Sequence, residues 1–404
     1  MRIDADILIP GRGDPIANAS VVLDGPTIAY VGPTDEAPES DEIVSVPAVM
    51  PGMWECHGHF TGMVRGDLEH DAAEHAATKA ARATADLAAT LDGGVTSVRE
   101  PGGLGIFLKA AVDEGRIAGP HLHSAGGILS TTGGHADVHG FPLDWVMSDH
   151  AAPIGVICDG VPECLRAVRS MLRRGAAFIK LCASGGVMSE IDHPVHQQFS
   201  DEELAAIVEE AARAERVVAA HCHGKPGIMA ALRAGAHTIE HGSYLDDEAA
   251  AAMVEAEAVL VPTRYIVSEL MEMEDRIPAY AYRKAVLVAD HHEQALKTAV
   301  ATGVTIAMGT DIFMSGAGQG TNSREVLHLM DAGMTMLEAI EAATANGPLT
   351  LGPQAPLSGQ LREGYDADVI AWDTDPLDDR SVWGDPDRVT HVWKAGELVK
   401  TPGP

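Results

Sequence analysis

The sequence of 404 residues has few cysteines, few basic side chains and no long apolar run. Its five cysteines form no Cys-x-x-Cys pair, and their odd number argues against a disulfide framework and for a reducing compartment. No stretch approaches the roughly 18 uninterrupted apolar residues of a membrane-spanning helix. The first residues, MRIDADILIP, lack the apolar core of a signal peptide. These absences predict a soluble cytoplasmic protein with no membrane partner.

Positive charge is also scarce. Lysine and arginine total 28, against 59 aspartates and glutamates, which gives a formal net charge of −31. Such an excess of negative charge repels phosphate backbones, so we expect no nucleic-acid partner. The composition, 46% hydrophobic and 22% charged residues, is typical of a globular protein and excludes disorder on a large scale.

The two ends of the chain differ from its middle. Residues 1–52 and 352–404 contain short β-rich runs punctuated by glycine and proline, and we expect them to pair into one small β-sandwich subdomain. Residues 53–351 alternate short apolar runs with alanine-rich segments of helical period. This alternation predicts an α/β fold with a (β/α)8 TIM barrel. No Gly-x-Gly-x-x-Gly follows the first strand, which disfavours a dinucleotide-binding fold.

Local signals support the alternation. Ser200-Asp-Glu-Glu203 is a capping box at the start of a helix. Three segments each combine a helix end, a glycine suited to the C′ position and a buried parallel strand: RRGAAFIKL, RAGAHTIEH and ATGVTIAMG. The main predicted helices are 68–91, 161–174, 201–216, 225–234, 247–255, 282–301 and 336–345.

The 19 histidines include three His-x-His pairs, at positions 57–59, 121–123 and 221–223. Since about one such pair is expected by chance, position has to identify the functional ones. In a barrel, side chains just past the carboxyl ends of the strands meet at the active site. The pair at 57–59 ends the first predicted strand and the pair at 221–223 the fifth. The pair at 121–123 precedes a glycine loop and is interpreted as structural.

Other predicted strand ends supply further ligand types. His57, His59, His221 and His241 provide four neutral imidazoles at one barrel mouth, and Asp311 provides a carboxylate. Together they predict a divalent-metal site, and nitrogen and oxygen ligands favour Zn²⁺.

Lys180 is unusual because it lies inside the apolar strand AFIKL, where a charged ammonium is costly to bury. Two interpretations are open. The lysine forms an ion pair with a carboxylate at the barrel rim, or it is an amine of lowered pKa that takes up CO2 as a carbamate. The carbamate would be an anionic ligand whose two oxygens can bridge two metal ions.

Several segments, in this order, resemble the amidohydrolase superfamily, in particular its imidazolonepropionase-like and Xaa-Pro dipeptidase (zinc carboxypeptidase)-like members: MPGMWECHGH, FIKLCASGGVMS, AHCHG, TIEHG and MGTD. The C-terminal LREGYDADVIAWDTDPL is similar to the segment with which such chains return to their β subdomain. The resemblance implies a binuclear centre that carboxylated Lys180 bridges. The implied ligands are His57, His59 and Asp311 for one ion and His221 and His241 for the other.

The resemblance also implies roles in catalysis and substrate binding. A metal lowers the pKa of its bound water to about 7, so the expected nucleophile is a metal-bound hydroxide. Asp311 and His241 are the predicted catalytic residues, and Asp311 would pass the water's proton to the leaving nitrogen. The loop that contains His135 and His139 would contact a free carboxylate of the substrate together with His223.

Residues in other loops are open to more than one interpretation. Arg264, after the seventh strand, is a candidate bidentate clamp for a carboxylate or, equally, a member of a surface ion pair. His193 and His196 are interpreted as exposed loop residues, and Cys182 and Cys222 as small hydrophobic side chains of the strands.

The leading hypothesis is therefore a binuclear zinc amidohydrolase that acts on a small-molecule amide or peptide. It would cleave the bond adjacent to a free carboxylate in a dipeptide, an Xaa-Pro substrate, an N-acyl amino acid or a similar conjugate. The alternative is a cyclic-amide hydrolase of the imidazolonepropionase type. A metal-free scaffold protein would have lost ligands, and none is missing here. The resemblance is compatible with a homo-oligomer.

Overall fold

The computed structural model describes residues 1–147 and 155–402. In chain order the described strands are β1 (Arg2–Leu8), β2 (Ile16–Asp24), β3 (Thr27–Pro33), β4 (Ile43–Pro51), β5 (Met53–Glu55), β6 (Val95–Glu100), β7 (His121–Ser124), β8 (Ile128–Ser130), β9 (Gly155–Ile157), β10 (Ile179–Cys182), β11 (Val218–Cys222), β12 (Thr238–His241), β13 (Val259–Val261), β14 (Thr305–Ile306), β15 (Val369–Trp372), β16 (Val389–Lys394) and β17 (Glu397–Lys400). Strands without intervening α-helices lie at the two ends of the chain.

Helices occupy most of the segments between the strands of the middle region. The described α-helices are α1 (Leu68–Ala73), α2 (Ala76–Asp92), α3 (Gly105–Asp113), α4 (Leu143–Val146), α5 (Gly160–Arg174), α6 (Asp201–Ala212), α7 (Lys225–Ala234), α8 (Asp247–Glu255), α9 (Arg264–Met271), α10 (Ala279–Thr302), α11 (Arg324–Asp331) and α12 (Met336–Ala343). Within the described ranges, no helix is both long enough and apolar enough to cross a membrane.

The two ends of the chain share one seven-stranded sheet, in the order β17-β16-β15-β4-β1-β2-β3. The antiparallel pairing of β4 with β15 joins them, with Met50 opposite Ile370 and Ala48 opposite Trp372. One face of this sheet buries a separate hydrophobic cluster that includes Ile3 and Trp393. The predicted pairing of the two ends is therefore confirmed, and the sheet fits the predicted sandwich.

The middle of the chain forms two parallel sheets, in the orders β14-β13-β12-β11-β10-β8-β9 and β5-β6-β7. Every residue of β10, β11 and β12 is buried, as is typical of parallel strands that are covered on both faces. The largest hydrophobic cluster lies between these strands and the surrounding helices. The predicted α/β alternation is confirmed.

Backbone hydrogen bonds connect the two parallel sheets at two places. At one edge the Cys56 amide donates to Met308 O (2.9 Å), which connects the ends of β5 and β14. At the second place the Ala177 amide donates to Ser124 O (2.9 Å), which connects β7, an edge strand, to the segment before β10, an inner strand of the larger sheet. Neither junction forms a strand ladder among the described residues. The closed (β/α)8 barrel therefore stays a prediction.

The helix-end signals of the sequence are confirmed. Gly175, Gly235 and Gly303 follow α5, α7 and α10 in the left-handed conformation, with φ of 91°, 92° and 79°. A side chain at such a φ is strained, which explains glycine at the point where each helix turns into a buried strand. The capping box of Ser200 and Glu203 starts α6.

Some helices differ from the prediction. The predicted helix 68–91 is two helices, because His75 caps α2 by accepting a hydrogen bond from the Ala77 amide. Helix α6 ends at Ala212, four residues before the predicted end. Helices α3, α4, α9 and α11 were missed, since four to nine residues show too few turns for a periodic pattern.

Candidate active site

A cavity opens where the carboxyl ends of the parallel strands converge. Its empty volume is about 1040 Å³, part of which is continuous with solvent. All six predicted metal ligands line it: His57, His59, Lys180, His221, His241 and Asp311. They come from different strand ends, so the fold rather than the local sequence brings them together.

The first histidine pair lies beside the predicted catalytic carboxylate. His59 Nε2 is 3.1 Å from Asp311 Oδ1, and His57 Nε2 is 3.7 Å from the same oxygen. The Asp311 amide donates to His57 O (2.7 Å), which ties the two segments together. Burial lowers the pKa of His57 well below its usual value. Burial opposes the charged form of His59 too, but the hydrogen bond and charge of Asp311 raise its pKa.

Three further histidines form a second group. His221, His223 and His241 each offer a ring nitrogen, and these atoms lie within 4.8 Å of one another. His223 Nδ1 is 2.7 Å from Ser243 Oγ, and His241 Nδ1 is 2.8 Å from Thr263 Oγ1. Burial lowers the pKa of all three rings well below the usual value, so they are neutral imidazoles. Neutral imidazole is the form that binds a metal ion.

Lys180 is almost fully buried, and its Nζ has no hydrogen-bond partner among the described residues. Burial lowers the pKa of its ammonium group. An unpaired ammonium is costly to bury here, so burial favours the neutral amine of Lys180. The ion pair at the barrel rim is not seen among the described residues. The neutral amine is the form that reacts with CO2.

The donor set fits divalent metal ions. His57, His241 and Asp311 form a second group of ligand atoms within 4.8 Å of one another, so His241 is common to both groups. In His57, His59, His221, His223 and His241 one ring nitrogen already has a partner, which fixes the ring and leaves the other nitrogen for a metal ion. The unpaired amine of Lys180 lies at the same cavity.

A buried ion pair orients one of these ligands. Glu240 Oε2 is 2.6 Å from His57 Nδ1, and both Glu240 oxygens accept hydrogen bonds from Arg99 at 2.5 and 2.6 Å. The Arg99 guanidinium also donates to Cys56 O (2.6 Å) and Thr238 Oγ1 (2.9 Å). Glu240 and Arg99 are fully buried. Such a partner fixes the orientation of a metal-binding ring.

A second buried carboxylate supports the segment with Asp311. Glu55 accepts hydrogen bonds from the His57 amide (2.8 Å), the Thr310 amide (3.0 Å) and Asn322 Nδ2 (2.8 Å). Burial raises the pKa of Glu55, and these hydrogen bonds oppose the rise. Glu55 therefore holds the chain next to two predicted ligands.

The predicted substrate-binding histidines His135 and His223 both line the cavity. The ring of His135 stacks on that of His221, with centroids 4.3 Å apart, and its Nδ1 is 2.8 Å from Ser189 Oγ. His223 belongs to the group of ligand atoms around His241. The structure thus places His223 close enough to the metal ligands to serve either purpose.

Arg264 and His139 are not among the residues that line the cavity. The Arg264 guanidinium donates to Ala289 O (3.1 Å) and to Glu293 Oε2 (3.4 Å), both on α10. His139 Nε2 is 3.1 Å from Gly134 O in its own loop. The structure therefore places neither side chain at the cavity, and Arg264 forms the ion pair that was its alternative. A strand end predicts where a residue lies but not the direction of its side chain.

Four other histidines lie as expected from the sequence: the pair at 121–123 as structural residues, and His193 and His196 as loop residues. His121 Nε2 is 3.3 Å from Asp368 Oδ1, and His123 stacks on Trp54 with centroids 5.2 Å apart. Neither lines the cavity. His193 and His196 are exposed loop residues.

The cysteines are buried free thiols. Cys182 and Cys222 are fully buried in hydrophobic clusters, as expected. Cys182 also lines the cavity. Burial raises the pKa of Cys182 to about 12, so its thiol is protonated and unsuited to attack a substrate.

The walls of the cavity away from these ligands are mainly apolar. The apolar side chains that line it are Met63, Leu68, Ile128, Val138, Val187, Met188, Ile266, Val267, Leu270 and Phe313. A site of this kind accommodates a substrate with a large hydrophobic group.

Sequence reasoning missed Arg99, Glu240 and Glu55. The signal was present, because each is a charged residue inside a fully buried strand: β6, β12 and β5. The same argument singled out Lys180. That argument, applied to all strands, would have found Arg99 and Glu240. Each is a buried charge that requires a partner of opposite charge.

Comparison with known proteins places the chain among hydrolases. Residues 48–399 match the Amidohydrolase family. The chain is 44% identical over 421 residues to ochratoxinase from Aspergillus niger, an alignment that covers 99% of this chain and 87% of that protein. The crystal structure of A. niger ochratoxinase matches with a TM-score of 0.93 at 43% identity and covers 100% of this chain and 96% of that one.

Two other relatives extend the likeness. The crystal structure of a prolidase complexed with N-methylphosphonate-L-proline has a TM-score of 0.92 at 31% identity, with 99% of this chain and 100% of that one covered. Imidazolonepropionase from Rhodococcus jostii is 26% identical over 402 residues, which are 95% of this chain and 89% of that protein. The resemblance seen in the sequence motifs is thus confirmed, and the chain belongs to the amidohydrolase family, whose relatives found here are hydrolases that act on C–N bonds.

Proposed function

We propose that this protein is a binuclear amidohydrolase that cleaves an amide or peptide bond adjacent to a free carboxylate in a substrate with a large apolar group. The observation that supports the proposal is the pair of ligand groups that share His241, at a cavity whose other walls are apolar. The ochratoxinase relative hydrolyses an amide, and the ligand of the prolidase relative contains L-proline, an amino acid with a free carboxylate.

In this proposal His57, His59 and Asp311 hold one divalent ion, and His221 and His241 hold the second. Carboxylated Lys180 is common to both. The ions, for which Zn²⁺ is the favoured candidate, supply a nucleophilic water at neutral pH and polarise the substrate carbonyl.

Asp311 is the proposed proton carrier. Its side chain is 22% exposed, whereas that of His57 is 2% exposed, so its carboxylate can contact a water in the cavity. It takes the proton of the attacking water and returns it to the leaving nitrogen, which must be protonated before it departs. His241, a ligand of the second ion in this proposal, also has a ring nitrogen within 4.8 Å of ligand atoms of His57 and Asp311, so it adjoins both proposed ion sites and holds the reacting centre in place.

The free carboxylate of the substrate is proposed to bind His135 and His223. Both line the cavity, and no lysine or arginine other than Lys180 does so among the described residues. Because burial disfavours the charged form of Lys180, these imidazoles are the other polar groups placed to bind an anion. The apolar walls then take up the hydrophobic part of the substrate.

A cyclic-amide hydrolase is the second candidate, supported by the likeness to imidazolonepropionase. The cavity favours the first proposal, since ten apolar lining residues suit a large hydrophobic group better than a small polar ring.

We also propose that residues 53–351 form a (β/α)8 barrel and that residues 1–52 and 352–404 form the second domain.

A hydrolysis screen with zinc tests the proposal. The panel contains dipeptides, Xaa-Pro dipeptides, N-acyl amino acids with small and large apolar groups, ochratoxin and small lactams. Each acid is paired with its amide at the carboxyl group. We expect kcat/KM for the acids to exceed that for the paired amides by about 10-fold or more, as a charge-assisted hydrogen bond allows. Turnover of lactams alone would favour the second candidate.

The variant His223→Ala separates substrate binding from chemistry. If His223 contacts the carboxylate, the variant loses about 10- to 150-fold in kcat/KM for acids and little for the paired amides. Both substrates use the same ligands, so the comparison is internal. Equal losses for acid and amide would place His223 in the metal centre, which its position beside His241 also allows.

A further inference from the structure

The loop between β10 and α6, residues 183–199, is attached to helix α10 mainly by Lys284, and Tyr280 of α10 adds one hydrogen bond to Met188 O (3.3 Å). The Nζ of Lys284 donates to Ser189 O (2.7 Å), Gly186 O (3.2 Å) and Asp192 Oδ1 (3.1 Å). An ammonium has three protons, so each has an acceptor in this loop. The Lys284 side chain is only 13% exposed. The same loop supplies Val187 and Met188, which line the cavity.

Asp192 transmits this attachment to a cavity histidine. Its carboxylate accepts hydrogen bonds from Lys284, from the Gly186 amide (2.8 Å) and from Ser189 Oγ. Ser189 Oγ in turn lies 2.8 Å from His135 Nδ1. The Ser189 hydroxyl therefore lies between the Asp192 carboxylate and the His135 ring. Lys284, Asp192, Ser189 and His135 therefore form one hydrogen-bonded chain.

The ring of His135 is also held by shape. A Cβ built on Gly186 would lie only 2.1 Å from His135 Cε1, so the ring packs directly against the Gly186 backbone. Its centroid is 4.3 Å from that of His221. A shift of this loop therefore moves the ring, and Gly186 is one of the two residues whose carbonyl groups Lys284 binds.

We propose that Lys284 is a positioning residue that determines substrate specificity. It holds the loop of residues 183–199 in place. Through Asp192 and Ser189 it also fixes the orientation of the His135 ring toward the substrate. With Nδ1 bound to Ser189, the Nε2 of His135 makes no hydrogen bond within the described residues. It is the atom left to contact a polar group of the substrate. The part of this proposal that concerns the substrate rests on the proposed function, whereas the attachment of the loop does not.

The first test compares Lys284→Met with Lys297→Met, both on α10, in the zinc-loaded protein. Lys297 pairs with Glu293 (2.6 Å) at the surface, and its side chain is 43% exposed, so it is a matched control. For the free-acid substrates of the panel we expect Lys284→Met to raise KM by about 10-fold or more and to change kcat by less than about 3-fold. The control should match the wild type.

Ser189→Ala is the second variant. It breaks the chain to His135 but keeps the contact between Lys284 and Asp192, so KM for the acids should rise while the loop stays attached. An equal effect of Lys284→Met on the acids and on their amides, or a fall in kcat without a rise in KM, would overturn the specificity role.

Hydrogen–deuterium exchange decides the attachment without any substrate. In zinc-loaded Lys284→Met we expect amides of residues 183–199 to exchange at least about 10-fold faster than in the wild type, with no change in Lys297→Met or Ser189→Ala. Unchanged exchange in Lys284→Met would overturn the attachment. Faster exchange with an unchanged KM would overturn the specificity role. If the wild type hydrolyses nothing on the panel, the proposed function fails, and exchange alone decides the role of Lys284.

Discussion

The buried pair of Glu240 and Arg99 offers a test in which two readouts should change together. Glu240→Gln keeps the size of the side chain and one acceptor oxygen but removes its charge. Both residues are fully buried, and Arg99 donates to both Glu240 oxygens. The substitution therefore leaves a buried guanidinium without its counter-ion and a His57 ring without its carboxylate partner.

The expected magnitude follows from the burial. Removal of one partner of a buried pair costs about 3–5 kcal/mol in the free energy of unfolding, because the remaining charge stays desolvated. Loss of the partner that orients a ligand ring typically lowers metal affinity by about 10- to 100-fold. A typical domain is stable by about 5–15 kcal/mol, so the variant should still fold, with a clearly lower midpoint.

Urea unfolding and zinc competition measure these two quantities. Unfolding is followed after chelation, so that bound metal does not contribute to the stability. Zinc affinity is measured against a chelator of known affinity. Glu248→Gln is the matched control, since Glu248 pairs with Lys225 at the surface, where its side chain is 72% exposed, and loses contacts that water replaces. The control should keep the unfolding midpoint and zinc affinity of the wild type.

A double variant supplies the result that would refute this reasoning. Arg99→Leu with Glu240→Leu removes both charges, and a hydrophobic pair is often as stable as a buried ion pair. The double variant should therefore be more stable than Glu240→Gln alone, although its zinc affinity stays low. If the double variant were the less stable of the two, the uncompensated charge would not be the cause. If zinc affinity were unchanged in Glu240→Gln, that side chain would not orient His57.

Three further predictions concern single residues. Asp311→Asn should lower kcat by about 10²-fold or more for every substrate, and a loss below about 10-fold with metal retained would exclude Asp311 as the proton carrier. Lys180→Ala should lose at least one metal ion and most activity, with partial rescue by acetate; full metal and full rate would exclude the carbamate. Burial raises the pKa of Glu325 to about 8, above its ordinary value of 4.5. The folded protein therefore holds this proton more tightly than the unfolded chain does. The resulting stabilisation is complete below about pH 4.5 and is lost as the pH rises through about 8. Between pH 5 and 8 the unfolding free energy of the wild type should therefore fall relative to that of Glu325→Gln, by at most about 1.4 kcal/mol per pH unit, and parallel curves would exclude the shift.

Much of the fold could be predicted because its signals are local. A helix end, a glycine and an apolar strand follow one another at Gly175, Gly235 and Gly303, and the structure has all three. The way in which the two parallel sheets meet was not predictable in the same way, since it depends on contacts such as that of Cys56 with Met308, between residues far apart in the sequence.

The candidate site could be predicted as a set of strand ends but not in its details. His241 and Asp311 have φ of 67° and 58°, a left-handed backbone that breaks the alternation of side chains along a strand. The neighbours Glu240 and His241 consequently both lie beside His57. The direction of the Arg264 side chain also depends on its contact with α10, and no local pattern encodes that contact.

The number of divalent metal ions per chain tests the binuclear centre most directly. The protein is dialysed against zinc and then against buffer, and its metal is counted by plasma mass spectrometry. Six candidate ligands line one cavity, and neutral imidazoles predominate among them. We therefore expect close to two ions per chain, lost together with hydrolytic activity on chelation and regained with zinc. Fewer than about one ion per chain, or full hydrolysis by the chelated protein, would contradict the binuclear amidohydrolase.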